Sequence, residues 1–219
     1  MPALLFGSIG SIADTSELQR RSYNQAFADH GLDWTWERDA YVEMLRDSGG
    51  RDRVASYAAE RGEEVDAEAV HRTKSERFQA ALRDEGVTAR PGVAESVRRA
   101  HEDGHRVALV TTTSPDNVTA LLGALADQLG PDAFDLVLDT SEVDAPKPDP
   151  EAYRVAIDRL AVDASRCVAV EDNVGGVESA RAAGITCVAF PNENTAAHEF
   201  PRAATTVEHL DYEDLAELA

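Results

Sequence analysis

The sequence predicts an α/β fold: a parallel sheet with helices on both faces, interrupted by one all-helical insertion. Three observations carry that prediction. Short apolar runs recur at 3–6, 107–110, 134–138, 167–170 and 186–190. Helical patterns at 92–102, 117–128, 150–160 and 176–183 separate most of them, and strand–helix alternation of this kind indicates right-handed crossovers in a parallel sheet. Residues 15–89, by contrast, read as helix nearly throughout and contain no strand-like run.

The elements follow in order. The first run, Ala3 to Phe6, stops at Gly7 and Gly10, and a helix pattern begins near Ser16. Strand-to-helix turns of this kind lie where parallel sheets bind ligands. The segments SELQRRSYNQAFADHG, ERDAYVEMLRDS, RDRVASYAAERG and EAVHRTKSERFQAALRDEG then form a helical lid, with Trp34 and Trp36 as its packing aromatics. Within the lid, SGGRDRV (Ser48 to Val54) resembles a ligand loop. Gly49 and Gly50 precede a helix N-terminus, whose free N–H groups attract anions, and Arg51 and Arg53 follow. A plain glycine turn with surface arginines accounts for the same letters. Beyond the lid, Ser114-Pro115 and Asp149-Pro150 each read as an N-cap with proline at the first helical position. The expected division is a core of 1–14 and 90–219 with a helical insertion at 15–89.

Composition narrows the function classes. A chain of 219 residues, 43% hydrophobic, can bury a real core as one domain carrying an insertion. No apolar run approaches the ~18 residues of a membrane helix. The N-terminus also lacks a basic stretch leading into a longer apolar one, so a cytoplasmic protein is expected. Cys167 and Cys187 lie in apolar runs without a CxxC pair and read as buried free thiols. A net charge of −20 argues against nucleic acid and anionic membranes as partners. No protein partner is identifiable. Two lysines against nineteen arginines make the places of Lys74 and Lys147 informative.

The chemistry-bearing residues fall at strand ends. Thr111, Thr112, Thr113 and Ser114 offer hydroxyls and backbone N–H groups to a phosphate. Lys147 stands between two prolines, a point charge on a stiff loop. Glu171 and Asp172 are adjacent carboxylates, followed by Asn173, Gly175 and Gly176, and carboxylate oxygens are the ligands Mg²⁺ prefers. Any one of these alone reads as capping or solvated loop, but three kinds at three successive strand ends indicate a site. Two other matches carry no chemistry. His101 to His105 spells H-E-x-x-H, yet Gly104 ends the helix that a zinc site requires. Asn117-Val118-Thr119 fits a glycosylation pattern without a secretory signal.

The order strand, helical insert, VALVTTTSPDNV, APKPDPEAY and VAVEDNVGGVESARAAG resembles the haloacid dehalogenase superfamily with the smaller helical cap. Within it, β-phosphoglucomutase and the sugar-bisphosphate phosphatases are most similar. The resemblance runs nearly end to end. It implies a Rossmann-like core, Mg²⁺, and a covalent aspartyl-phosphate mechanism on a small phosphorylated metabolite, with a sugar phosphate expected. By position, Thr111 and Thr112 bind phosphate, Lys147 neutralises it, Glu171 and Asp172 hold the metal, and Gly49, Gly50 and Arg51 of the cap touch substrate.

The first motif departs from the family. Where relatives carry Asp-x-Asp-Gly-Thr/Val, this chain has Gly7 for the nucleophile, Ile9 for the acid/base and Ser11 at the hydroxyl position. The first aspartate, Asp14, lies past the turn. Glycine has no nucleophile and isoleucine transfers no proton, so the aspartyl-phosphate route is closed and Mg²⁺ binding is expected to weaken. Ser8 and Ser11 are the nearby hydroxyls, although Ser8 on a strand points opposite to residues 7 and 9. Only His198 is expected near that edge as a base. Two classes follow: a hydrolase with substitute chemistry, or a non-catalytic module that binds a phosphorylated metabolite or a protein partner.

Overall fold

The computed structural model describes residues 2–45 and 49–219. Six strands, β1 (Ala3–Phe6), β2 (Arg106–Val110), β3 (Leu136–Leu138), β4 (Val168–Glu171), β5 (Thr186–Ala189) and β6 (Thr205–Thr206), form one sheet in the order β3-β2-β1-β4-β5-β6. All pairings are parallel, with Leu4 beside both Val107 and Val168. The helices among the described residues are α1 (Ile9–Ile12), α2 (Ser16–Asp29), α3 (Arg38–Met44), α4 (Gly50–Arg61), α5 (Ala67–Glu85), α6 (Val93–Glu102), α7 (Pro115–Ala124), α8 (Ala126–Leu129), α9 (Glu151–Leu160), α10 (Val174–Ala182) and α11 (Tyr212–Glu217).

Strand side chains alternate, and the alternation sorts them into two cores. Leu4, Phe6, Leu109 and Val170 face one side, where Val97 of α6, Leu121 of α7 and Leu215 of α11 cover them. Ala3, Leu5, Val110 and Ala169 face the other, under Tyr153 and Ala156 of α9 and Val177 of α10. Helices therefore lie on both faces, as the near-continuous apolar runs require. The expected strands lie within two residues of those observed. β6 was not expected, because two exposed threonines carry no apolar signal.

Ser114 and Pro115 start α7 as expected. Pro150 is one place further out than expected, at the cap of α9, and Asp149 Oδ1 accepts from Glu151 N at 2.9 Å. The H-E-x-x-H letters split as expected, since α6 ends at Glu102 and Gly104 turns with φ 74°. His101 meets Asp135, and His105 meets Tyr212.

Between β1 and β2 the described residues form α1 to α6 and no strand, and α2 to α5 make up the insert. These helices have their own apolar centre of Tyr23, Phe27, Trp34, Trp36, Tyr41, Val54 and Val70. Trp36 is fully buried, 4.7 Å from the Tyr23 ring and 4.8 Å from Phe27, so the tryptophans are packing residues. Bonds tie the insert to the sheet domain. Gln79 of α5 donates to Asn117 of α7, and Arg38 of α3 donates to Asn194 beyond β5.

Candidate functional site

The carboxyl ends of β1, β2 and β4 meet where the strand order reverses, the place where open parallel sheets bind ligands. Just past β1, Gly7 N still donates to Val170 O at 2.9 Å. Ser8 then leaves the strand and caps α1. Its Oγ accepts from Ser11 N at 2.9 Å and Ser8 N donates to Ser11 Oγ at 3.3 Å, a reciprocal capping box, and Ser11 Oγ also donates to Ser8 O at 2.7 Å. The Ser11 hydroxyl is fully buried and spent on that cap, which removes it as a nucleophile. Ser8 is not turned away as strand geometry predicts. As an N-cap it lines the cavity, and its hydroxyl donates to Asp172 Oδ1 at 2.8 Å.

Lys147 converges on the same point. Its Nζ donates to Glu171 Oε1 at 2.6 Å, to Val110 O at 2.8 Å and to Gly7 O. Tyr153 donates to the same Glu171 oxygen at 2.8 Å. Two glycines make this possible. A Cβ on Gly7 would stand 2.1 Å from both Glu171 Oε1 and Tyr153 Oη, and a Cβ on Gly176 would stand 2.1 Å from the Glu171 carboxyl carbon. The Glu171 carboxyl thus fills the space into which a side chain at position 7 would project, beside the first turn of α10. Burial pushes its pKa up, opposed by the Lys147 ammonium. Glu171 Oε2 is buried without a protein partner.

Asp172 accepts from four donors. Oδ1 accepts from Ser8 and from Asn173 Nδ2 at 2.8 Å, Oδ2 accepts from Asn192 Nδ2 at 2.8 Å, and its carbonyl accepts from Thr195 at 2.7 Å. The two expected metal ligands therefore face different donors, one of them an ammonium. No cluster of three His, Cys, Asp or Glu suited to a metal exists among the described residues. With no carboxylate at position 7 and the Lys147 ammonium against both Gly7 O and Glu171 Oε1, the donor set is a poor fit to Mg²⁺, which is held through one or two carboxylates in near-octahedral geometry.

A cavity of about 350 Å³ opens between these strand ends and the helical insert. Thr111, Thr112, Thr113 and Ser114 line its sheet side, as expected, with Thr111 Oγ1 accepting from Thr113 N at 3.2 Å. Gly49 and Gly50 line the insert side, while Ser48 lies outside the described residues. Arg51 corrects the expectation: it is exposed, bonds Asp52 at 2.8 Å and does not line the cavity. The loop ends at Gly49, so Arg51 is already on α4, where successive side chains point about 100° apart. Arg53 is the arginine on the cavity wall, its Nε donating to Met44 O at 3.0 Å.

Two basic residues of the insert, Lys74 and His71, also line the cavity and carried no functional assignment in the sequence. Lys74 is 3% exposed, donates to Gln19 Oε1 at 2.9 Å, and lies 4.8 Å from the Tyr23 ring centre and 5.1 Å from that of Phe78. Burial, reinforced by Arg53, pulls its pKa down to about 7. His71 is pulled down to about 4 by burial and then by Lys74. The signal for Lys74 was a lone lysine in the stripe Val70, Lys74, Phe78, Leu82, all buried on one face of α5. His198 does not line the cavity, so the alternative serine–histidine arrangement lacks the base that the sequence offered for it.

Comparison with known proteins agrees with this architecture. A family model described as haloacid dehalogenase-like hydrolase matches residues 4–184. Protein CbbY of Cereibacter sphaeroides is 37% identical over 204 residues, 92% of this chain and 89% of that protein. Crystal structures of CbbY from Rhodobacter sphaeroides, one with phosphate and one of a mutant with xylulose-(1,5)bisphosphate, match at 35% identity. Their TM-scores are 0.87 and 0.88, over 100% of this chain and 96% of theirs. β-Phosphoglucomutase from Clostridium difficile shares the fold at 20% identity and a TM-score of 0.79. No helix among the described residues is long and apolar enough to cross a membrane. By sequence along most of its length, and by a sheet whose strand ends gather Thr111, Lys147 and Asp172 beneath a helical insert, the chain belongs to the haloacid dehalogenase-like hydrolase family.

Proposed function

We propose that this protein binds a small phosphorylated sugar between the sheet and a cap formed by residues 15–89, and does not hydrolyse it through an aspartyl-phosphate. The single observation that carries the reading is the closed space at position 7. Gly7 lacks the nucleophile, and Glu171 and Tyr153 fill the place where one would stand. Lys147, which would neutralise a transferring phosphate, is instead bound to Glu171. Ile9 supplies no acid or base. Losing a nucleophile costs about 10⁶ in kcat in a well-studied serine hydrolase, so residual turnover by this route is negligible.

What remains is recognition. Thr111 to Ser114 offer hydroxyls from the sheet side, and Arg53 and Lys74 offer cations from the insert. The bound phosphate and xylulose-(1,5)bisphosphate of the CbbY crystal structures support a ligand of this class. One observation favours a second reading: the Ser8 hydroxyl lines the cavity and bonds Asp172, a serine–carboxylate pair.

The test is calorimetric titration with xylulose 1,5-bisphosphate, run beside an assay of phosphate release with Mg²⁺ present. Saturable binding without release is the expected result. Turnover that Ser8→Ala abolishes would establish the serine as a substitute nucleophile and end the non-hydrolytic reading.

A further inference from the structure

We infer that this chain holds its anionic ligand without a divalent cation, because position 7 carries no carboxylate and an ammonium, hydroxyl and amide donors already hold oxygens at the strand ends. The inference rests on the proposed phosphate-binding cavity and adds how the ligand's charge is met. Three features of these strand ends point the same way. The carbonyl of Gly7 accepts from Lys147, so an ammonium stands against the strand end. Glu171 Oε1 accepts from both Lys147 and Tyr153 in a fully buried pair. Asp172 accepts two bonds at Oδ1, from Ser8 and Asn173, and one at Oδ2, from Asn192, so a metal would compete with these donors.

Replacing these donors by Mg²⁺ has an unfavourable balance. The cation dehydrates reluctantly and demands near-ideal geometry. At Glu171, whose Oε2 has no protein partner among the described residues, it would enter beside a carboxylate already paired with the Lys147 ammonium, setting two cations against one carboxylate in the interior, which is costly. Gly10 adds a steric sign in the same direction: a Cβ there would lie 1.9 Å from Asp172 Oδ2, so the carboxylate is drawn against the α1 backbone. The positive charge for an anion comes from across the cavity. Lys74, whose ammonium donates to Gln19 Oε1 and meets no carboxylate among the described residues, and Arg53 face it from α5 and α4.

The experiment has two arms. In the first, Mn²⁺ alone is titrated into the metal-free full chain and followed by electron paramagnetic resonance. Retention of the free Mn²⁺ signal is expected. Stoichiometric binding at sub-millimolar Mn²⁺ that Asp172→Asn removes would overturn the inference, and the variant's circular dichroism spectrum checks that it is folded. In the second, inorganic phosphate is titrated by calorimetry in EDTA and again in excess Mg²⁺. Equal affinities are expected, and a gain of tenfold or more with Mg²⁺ overturns the inference. If phosphate binds in neither condition, the cavity reading fails, and the Mn²⁺ arm still decides the metal question by itself.

Discussion

Lys74 concentrates the tension between stability and binding in one side chain. Its folded pKa of about 7 lies below the ordinary 10.5, chiefly because burial penalises the ammonium. Between those two values the unfolded chain binds more protons than the folded one, so Lys74 makes stability rise with pH across that window. Below it, the folded protein carries a buried charge with no carboxylate partner among the described residues. Lys74→Met is therefore expected to stabilise the free protein by about 1–3 kcal/mol more near pH 6 than near pH 9, measured by urea unfolding. His71, at about 4, and the raised Tyr23 and Tyr41 hydroxyls do not titrate between those values, so the difference reports on Lys74. The same variant should lose phosphate binding. An equal effect at both pH values would mean that the lysine is no more costly when charged than when neutral. The sequence showed this residue only as one of two lysines; that it meets Gln19, Tyr23 and Phe78 needed the packing of α2 on α5.

Among the elements, the loop after β5 joins the two halves. Asn194, 1% exposed, accepts from Arg38 of α3 at 3.0 Å and donates to Glu17 of α2 at 2.8 Å. Its neighbour Glu193 donates through its backbone N–H to Asp14 and pairs with Arg38. Arg90, at the returning crossing, donates to Gly10 O, Phe190 O and Pro191 O, and its own N–H reaches Ile12 O at 2.8 Å. Asn194→Ala removes the side-chain bonds to α2 and α3 and leaves the Arg38 Nε donor and the Glu17 Oε1 acceptor without this partner, with an expected cost of about 1 kcal/mol. Hydrogen exchange should quicken at 13–19 and 192–195 and stay slow in β1 and β4. Unchanged exchange at 13–19 would assign the joint to Arg90 alone. Periodicity revealed the strands and helices because burial on both sheet faces imposes it. The joint was not legible, since PNENT carries only loop composition and its partners lie more than 150 positions away. α1 was likewise read as a turn, because a four-residue helix has no period and rests on the Ser8–Ser11 cap.

Charge governs the whole molecule. At −20 the folded chain repels itself, and its surface ion pairs, such as Arg21–Glu85 and Arg77–Asp29, are solvent-exposed and screened. The cavity runs against that background, with Arg53 and Lys74 facing inward. Raising NaCl from about 0.1 M to about 1 M shortens the Debye length from about 10 Å to about 3 Å. Two opposite responses follow. Self-repulsion weakens, so the melting temperature of the free protein should rise. Attraction of a phosphate anion to the cavity also weakens, because salt anions compete for the same cations. At a fixed ligand concentration near a hundredfold Kd at low salt, binding contributes about 2.7 kcal/mol, and that increment should shrink as salt rises. Thermal melts with and without xylulose 1,5-bisphosphate at both salt concentrations check the pair of effects. If the free protein melts lower in high salt, the surface ion pairs outweigh the repulsion. If the ligand increment is insensitive to salt while the free protein is stabilised, the bound anion is held by hydroxyl and backbone donors such as Thr111 to Ser114, and the insert's cations serve the fold rather than the ligand.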